Sequence, residues 1–222
     1  MIYVLDIFGT FVFAVSGAFK AARHELDILG VLVLAIATGV GGGIIRDVTL
    51  GYTPPAAFQD EIYLLVCVAG GLIVFVAANK IAPRWDCVMF ADAVGLSVFA
   101  AIGAAKAQMY DLGDIGIIMM AAITATGGGM IRDVLVREIP AVLRADFYAT
   151  AALLGGASFI AAGRLGFNQG TQLLCAIAAT FLLRVLAMKY GISLPRLHRL
   201  PESPTKLTKM RKAKRETESV DD

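Results

Sequence analysis

Two stretches of this chain hold residues whose chemistry does not suit their surroundings. Gly41, Gly42 and Gly43 precede Ile44-Ile45-Arg46-Asp47, and Gly127, Gly128 and Gly129 precede Met130-Ile131-Arg132-Asp133. Both lie inside long apolar runs. A glycine in a helix interior costs about 1 kcal/mol relative to alanine, and a charge deep in a bilayer costs at least about 2.5 kcal/mol. Three glycines strip side chains from nearly one helical turn, so the helix can bend or unwind there, or another backbone can come close. Freed carbonyls would favour cations and freed amides anions, and irregular backbone is tolerated only where it is buried in protein or faces a wet cavity. Arg46 and Arg132 could then act as an electrostatic barrier or gate on a wet path, with Asp47 and Asp133 drawing cations in. The competing reading is charge pairing, within a copy or across copies, such as Arg46 with Asp133, plus snorkelling to the interface.

Other polar residues in the apolar runs have the same two readings. Ser16, Thr38, Thr124 and Thr126 can line a pore or satisfy broken backbone. Asp6 and Asp92 read as caps at helix N-termini, favoured by the helix dipole. Lys20 and Lys106 read as snorkelling residues at the far ends of those helices. Enzyme signatures are missing. Neither triplet is followed by the Gly-Lys-Ser/Thr of a phosphate loop, no nucleophile–base pairing is visible, and His24 and His198 lack metal-ligand spacing. Cys67, Cys87 and Cys175 read as reduced packing residues. No cofactor and no metal are expected.

The elements that position these residues are membrane helices. Of 222 residues, 58% are hydrophobic and 17% charged, too few charges for a soluble domain of this size. Seven apolar runs follow in order, at about residues 2–22, 28–50, 62–78, 88–107, 115–136, 147–162 and 172–188. They are continuous rather than alternating, and longer than the roughly 10 residues of a barrel strand, so an all-α membrane protein of seven spans is expected. Residues 1–190 form the transmembrane domain, and 191–222 a polar, charged tail read as disordered. Lys20 and Arg23, Lys80 and Arg84, Arg137 and Arg144, and the basic tail all fall on one side of this model. That side is therefore the cytoplasm, with the N-terminus outside and the C-terminus inside.

A shift of 86 residues superposes the chain on itself: Asp6 on Asp92, Gly9 on Gly95, Phe13 on Phe99, Lys20 on Lys106, Thr38 on Thr124 and the two triplets on each other. Read without a gap, the match continues to Pro54 on Pro140, Asp60 on Asp146 and Gly70 on Gly156. Repeat 1 covers about residues 6–79 and repeat 2 about 92–165, with three spans each. An odd number of spans inverts the second copy in the membrane, leaving the seventh helix outside the repeat. Inverted repeats with interrupted helices in matching positions are a plan of transport proteins. The second and fifth helices, kinked at their glycine triplets, fit it.

The doubled Gly-Gly-Gly-x-x-Arg-Asp motif, the three-plus-three arrangement and the seventh helix together resemble the prokaryotic trimeric intracellular cation channel family, from about Asp6 to Met188. The resemblance implies a homotrimer in the prokaryotic cell membrane with one pore per subunit. It implies passive permeation of monovalent cations, chiefly potassium and possibly sodium, past the bends of the second and fifth helices. Partners are then membrane lipids and further copies of the chain, with no nucleic acid and no soluble partner. Animal relatives carry Lys-Glu-Val where this chain has Arg-Asp-Val, so phosphoinositide binding does not carry over. The alternative function is a secondary transporter of a small zwitterion such as an amino acid.

Overall fold

The computed structural model describes residues 1–81, 85–144 and 147–191. Arg84, Asp146 and residues 192–222, which include most of the tail read as disordered and its basic residues, lie outside these.

The described residues form the helices α1 (Ile2–Arg23), α2 (Ile28–Thr49), α3 (Ala56–Gln59), α4 (Glu61–Ile81), α5 (Trp85–Met109), α6 (Asp114–Leu135), α7 (Ala141–Arg144), α8 (Ala149–Arg164) and α9 (Gln169–Tyr190). Each apolar run becomes one of the seven longer helices, and α3 and α7 are single turns in the two loops that follow the Arg-Asp motifs. Five are long and apolar enough to cross a membrane: α1, α2, Met89–Met109 of α5, α6 and α9. The ends carry ordinary signals. Asp27 caps α2 by accepting from the Gly30 amide at 2.8 Å, Asn168 caps α9 through the Thr171 amide at 2.9 Å, and Gly191 ends α9 at φ 58°.

Side chains are distributed for lipid rather than water. Large apolar residues such as Val76, Ile115 and Leu174 are 83%, 76% and 66% exposed, while the interior is built from small residues and a few charges. Ala14, Ala18 and Ala21 of α1 pack on Val31, Leu34 and Ala35 of α2, and Cys67 and Val74 of α4 join them. The larger core joins Phe13 to the alanine-rich face of α5, to α6, and to Tyr148, Phe159, Leu173 and Ala176. Small residues let helices approach closely where burial in water gives no drive.

The 86-residue repeat is visible in the backbone. Shifted by 86, Ile28–Thr49 becomes Asp114–Leu135. The left-handed residues recur at Glu25 (54°) and Asp111 (55°), and at Gly51 (77°) and Arg137 (58°). The two copies meet reciprocally. Phe13 stacks on its counterpart Phe99, with centroids 5.1 Å apart. A Cβ on Gly41 would come within 2.6 Å of Ile131, and one on Gly127 within 3.0 Å of Ile45.

Beyond the Arg-Asp motifs the ungapped alignment fails. Tyr52 N donates to Asp47 O as Glu138 N does to Asp133 O, still 86 apart. The amide bound by the aspartate side chain belongs to Ala56 in one copy and Ala141 in the other, 85 apart. Gly71 packs on Leu32 and Ala35, and Gly156 on their counterparts Ile118 and Ala121. The second loop is one residue shorter, so Pro55, Tyr63 and Gly71 match Pro140, Tyr148 and Gly156. The ungapped partners of Pro54 and Gly70 are each one place off, and Asp146 lies outside the described residues.

Candidate functional site

The triplets do not interrupt their helices. Both α2 and α6 continue as α-helix through them, and none of the six glycines takes a positive φ. They lie where another backbone comes close. The carbonyl oxygen of Thr124 fills the place of a Cβ on Gly42, and that of Thr38 fills the place of one on Gly128. Keeping the helical hydrogen bonds while removing side chains lets the backbones cross without leaving buried polar groups unpaired. The third glycine of each triplet faces elsewhere: Gly43 towards the Arg46 guanidinium, Gly129 towards the Tyr148 hydroxyl.

On either side of this crossing lies a charged cluster. Arg46, 1% exposed, donates through Nε to Asp47 at 2.8 Å and through its two terminal nitrogens to Asp6 at 3.3 and 3.2 Å. Tyr63 donates its hydroxyl to the same Asp6 at 3.1 Å. In the second copy Arg132 donates to Asp133 at 3.0 Å, to Asp92 at 2.7 Å and to Ser16 at 2.7 Å. Asp47 and Asp133 use their other oxygen to accept the first amide of α3 and α7, at 3.0 and 2.9 Å. A buried carboxylate between a guanidinium and a backbone amide has its acceptor sites filled, which is how a charge is tolerated inside protein.

This geometry selects one of the two pairing readings and corrects two other expectations. The arginines pair within their own repeat, so Arg46 binds Asp6 and Asp47 and not Asp133. Asp6 and Asp92 are not caps: Met1 is the N-cap of α1, and Asp92 lies well inside α5. Both reach for an arginine instead, because an unpaired carboxylate there would cost more than the cap gains. Lys20 and Lys106 do not simply snorkel; both make ion pairs across the repeats. Lys106 lies 3.6 Å from both Asp6 and Asp47, and Lys20 lies 2.7 Å from Glu138 and 3.8 Å from Asp133. Since Asp6 and Lys20 are fourteen residues apart on α1, the two clusters sit about 21 Å apart along that helix.

The remaining candidates, the threonines, are buried among neighbouring helices. Thr38 is fully buried, donates to Leu34 O at 2.6 Å and packs on Gly17; Thr124 is fully buried and packs on Gly103. Thr126 donates to Ala122 O at 2.8 Å. Sequence reasoning missed Tyr63, Tyr148, Glu138 and Arg184. Tyr148 is buried beside the Arg132 cluster, with the Arg184 guanidinium of α9 held 4.9 Å over its ring. A one-residue gap after the motif would have aligned the two tyrosines.

The first cluster opens to the protein surface. A vestibule of about 370 Å³ is lined by Tyr3, Tyr52, Gln59, Asp60 and Lys106, among others, and reaches Asp6, Ala56 and Tyr63. Those three also line a separate narrow cleft of about 10 Å³, whose other walls include Arg46, Asp47, Gly43, Gly39 and Thr10. That is room for about one water. Tyr3 donates to Asp60 at 2.6 Å at the rim, which holds the Asp60 carboxyl below its ordinary pKa.

The chain matches the family model described as Glycine transporter over residues 3–79 and 89–164, one match for each repeat. A UPF0126 membrane protein of Vibrio cholerae is 42% identical over 196 residues, 88% of this chain and 82% of the relative. The UPF0126 inner membrane protein YadS of Escherichia coli (strain K12) is 40% identical over 198 residues, 88% and 95% of the two chains. Among solved structures, the trimeric intracellular cation channel orthologue from Rhodobacter sphaeroides has a TM-score of 0.82 at 41% identity, covering 86% of this chain and 98% of that one. A second structure of a trimeric intracellular cation channel has a TM-score of 0.82 at 37% identity, covering 89% and 98%. The resemblance read from the doubled motif thus extends over most of the chain, and these structural neighbours are channels and not enzymes.

Proposed function

The chain belongs to the family described as Glycine transporter, and from that premise we propose that it is a passive channel for monovalent cations, potassium preferred, with a pore in each subunit of a homotrimer. The observation that carries this reading is the vestibule and the cleft beside it, which share Asp6 as a wall, the cleft being lined also by Asp47 and the third glycine of the first triplet. The likeness to cation channel structures supports it. In this reading all seven longer helices span the inner membrane, with the N-terminus outside. The two repeats are inverted across it, so that the Arg46 cluster forms the outer mouth and the Arg132 cluster the inner one. The path passes the crossing of α2 and α6 at residues 41–43 and 127–129. Ions would advance by loosening Arg46 and Arg132 from their aspartates, with Ser16, Thr38, Thr124 and Thr126 taking over hydration as the crossing opens.

A second reading is a secondary transporter of a small zwitterion. The family description favours it, and so does the composition of each cluster. Two carboxylates face one arginine and one lysine, an arrangement that can meet both ends of an amino acid. Purified protein in planar bilayers separates the two. Unitary currents that reverse near the potassium equilibrium potential support the channel. Electrical silence together with saturable, ion-coupled uptake of an amino acid into vesicles supports the transporter and refutes the channel.

A further inference from the structure

The two lysines that cross between the repeats are held differently. Lys106 approaches Asp6 and Asp47 at 3.6 Å each, too far for hydrogen bonds, and its side chain is 21% exposed to the vestibule. Arg46, by contrast, is 1% exposed and hydrogen-bonded to both carboxylates. Of the two cations on this acid pair, one is fixed and the other rests on it by charge alone, on a flexible stem open to water.

At the other cluster the equivalent ammonium stands at a similar distance from its aspartate but has a hydrogen-bonded carboxylate of its own. Lys20 bonds Glu138 at 2.7 Å and stands 3.8 Å from Asp133. His24 of the α1–α2 turn meets the other Glu138 oxygen at 2.9 Å and fixes that carboxylate. Glu138 has its repeat counterpart in Tyr52, as their matching backbone bonds to Asp133 and Asp47 establish. Tyr52 lines the vestibule but offers Lys106 no carboxylate.

We propose that Lys106 is a tethered ammonium that competes with permeant monovalent cations for the Asp6 and Asp47 carboxylates, and that Glu138 relieves the same competition at the opposite cluster by holding Lys20. The proposal rests on the cation-conduction reading and deepens it. A cation entering from the vestibule reaches the pair only when the lysine has swung out, so the apparent affinity of the mouth is reduced by the fraction of time the lysine occupies it. The asymmetry makes one mouth weaker for cations than the other, although both carry the same Asp, Asp, Arg and Lys.

The test is conductance of the purified protein in planar bilayers against symmetric potassium concentration. Lys106→Met should lower the half-saturating concentration by about threefold or more, the factor for a lysine that holds the pair two-thirds of the time. The limiting conductance should change less than this. Tyr52→Glu keeps Lys106 and its charge but supplies the missing acceptor, and it should shift the half-saturating concentration in the same direction. Glu138→Tyr should shift it upward by leaving Lys20, already 3.8 Å from Asp133, without its second carboxylate. Half-saturation at the wild-type value in folded Tyr52→Glu protein overturns the proposal. So does a Lys106→Met protein whose limiting conductance falls with half-saturation unmoved, since that is the signature of a merely structural lysine. A wild-type protein that passes no cation current refutes the conduction reading itself, and the competition with it.

Discussion

The carbonyl oxygen of Thr124 occupies the space that a side chain on Gly42 would need, and Thr38 stands in the same relation to Gly128. Backbone cannot rotate away as a side chain can, so even one methyl group must push α2 and α6 apart. Gly42→Ala and Gly128→Ala should each destabilise the folded protein by about 1–3 kcal/mol, the usual cost of overpacking. Thermal unfolding in detergent should show it. Gly43→Ala is the control, because its Cβ would come no closer than 3.6 Å, to the Arg46 guanidinium. It should fold normally while narrowing the cleft, so conductance should fall at unchanged unfolding temperature. Equal stability of all three variants would remove the close-approach account.

The helices, their order and the repeat were legible because apolar run length and the spacing of Gly, Asp, Lys and Arg record them directly. What the triplets do was only half legible. Glycine permits both a broken helix and a close crossing, and the choice depends on which carbonyl lies opposite, a fact about the partner helix. Whether the charges pair within a copy or across copies was left open for a related reason. Arg46 and Asp133 are plausible partners in a list of charges, but the helix rise places them in clusters at opposite ends of α1. Asp6, forty residues from Arg46, and the adjacent Asp47 are the ones within reach. Tyr63 and Tyr148 stayed hidden because the ungapped shift paired each with the wrong residue.

Glu138 gives a prediction in pH. The Lys20 ammonium, bonded at 2.7 Å, and then His24 hold its carboxyl below the ordinary pKa, although partial burial works in the other direction. A carboxyl depressed in the folded state contributes stability that is present above its unfolded pKa of about 4.3 and is lost as pH falls through the folded value. The unfolding temperature should therefore decline between about pH 5 and pH 3, and Glu138→Gln should flatten part of that decline. The half-exposed position limits the effect to about 1 kcal/mol or less. A variant whose unfolding profile over that window matches wild type would show that the Lys20–Glu138 contact carries no net stability.

Topology is a separate test. Tyr52 and Gln59 line the vestibule that is proposed as the outer mouth. A cysteine at Gln59 should react with a membrane-impermeant maleimide added outside intact cells, and one at Arg137, beside the Lys20–Glu138 contact, should react only after the membrane is opened. Labelling of both from the outside would refute the inversion of the repeats.

The last prediction concerns Arg46 and Asp6, whose carboxylate accepts from both terminal nitrogens at 3.3 and 3.2 Å inside a cluster that water barely reaches. Removing one member of such a pair leaves the other charge buried and unmatched, at a cost of about 3–5 kcal/mol. Arg46→Ala alone should be strongly destabilising, since Asp6 and Asp47 would then share only Lys106. Asp6→Ala should cost less, because Arg46 keeps its 2.8 Å bond to Asp47. The double variant should recover part of the sum, with a coupling of about 0.5–3 kcal/mol, the range for residues in one network. Arg46→Ala combined with Asp133→Ala should be additive within about 0.5 kcal/mol, as for sites with no shared partner. Strong coupling of Arg46 to Asp133, with none to Asp6, would refute the within-repeat pairing and restore the cross-repeat bridge. Flux adds a second readout. If Arg46 holds the acid pair closed against permeant ions, the double variant that regains stability should not regain selectivity, because the carboxylate that draws cations to the mouth is gone.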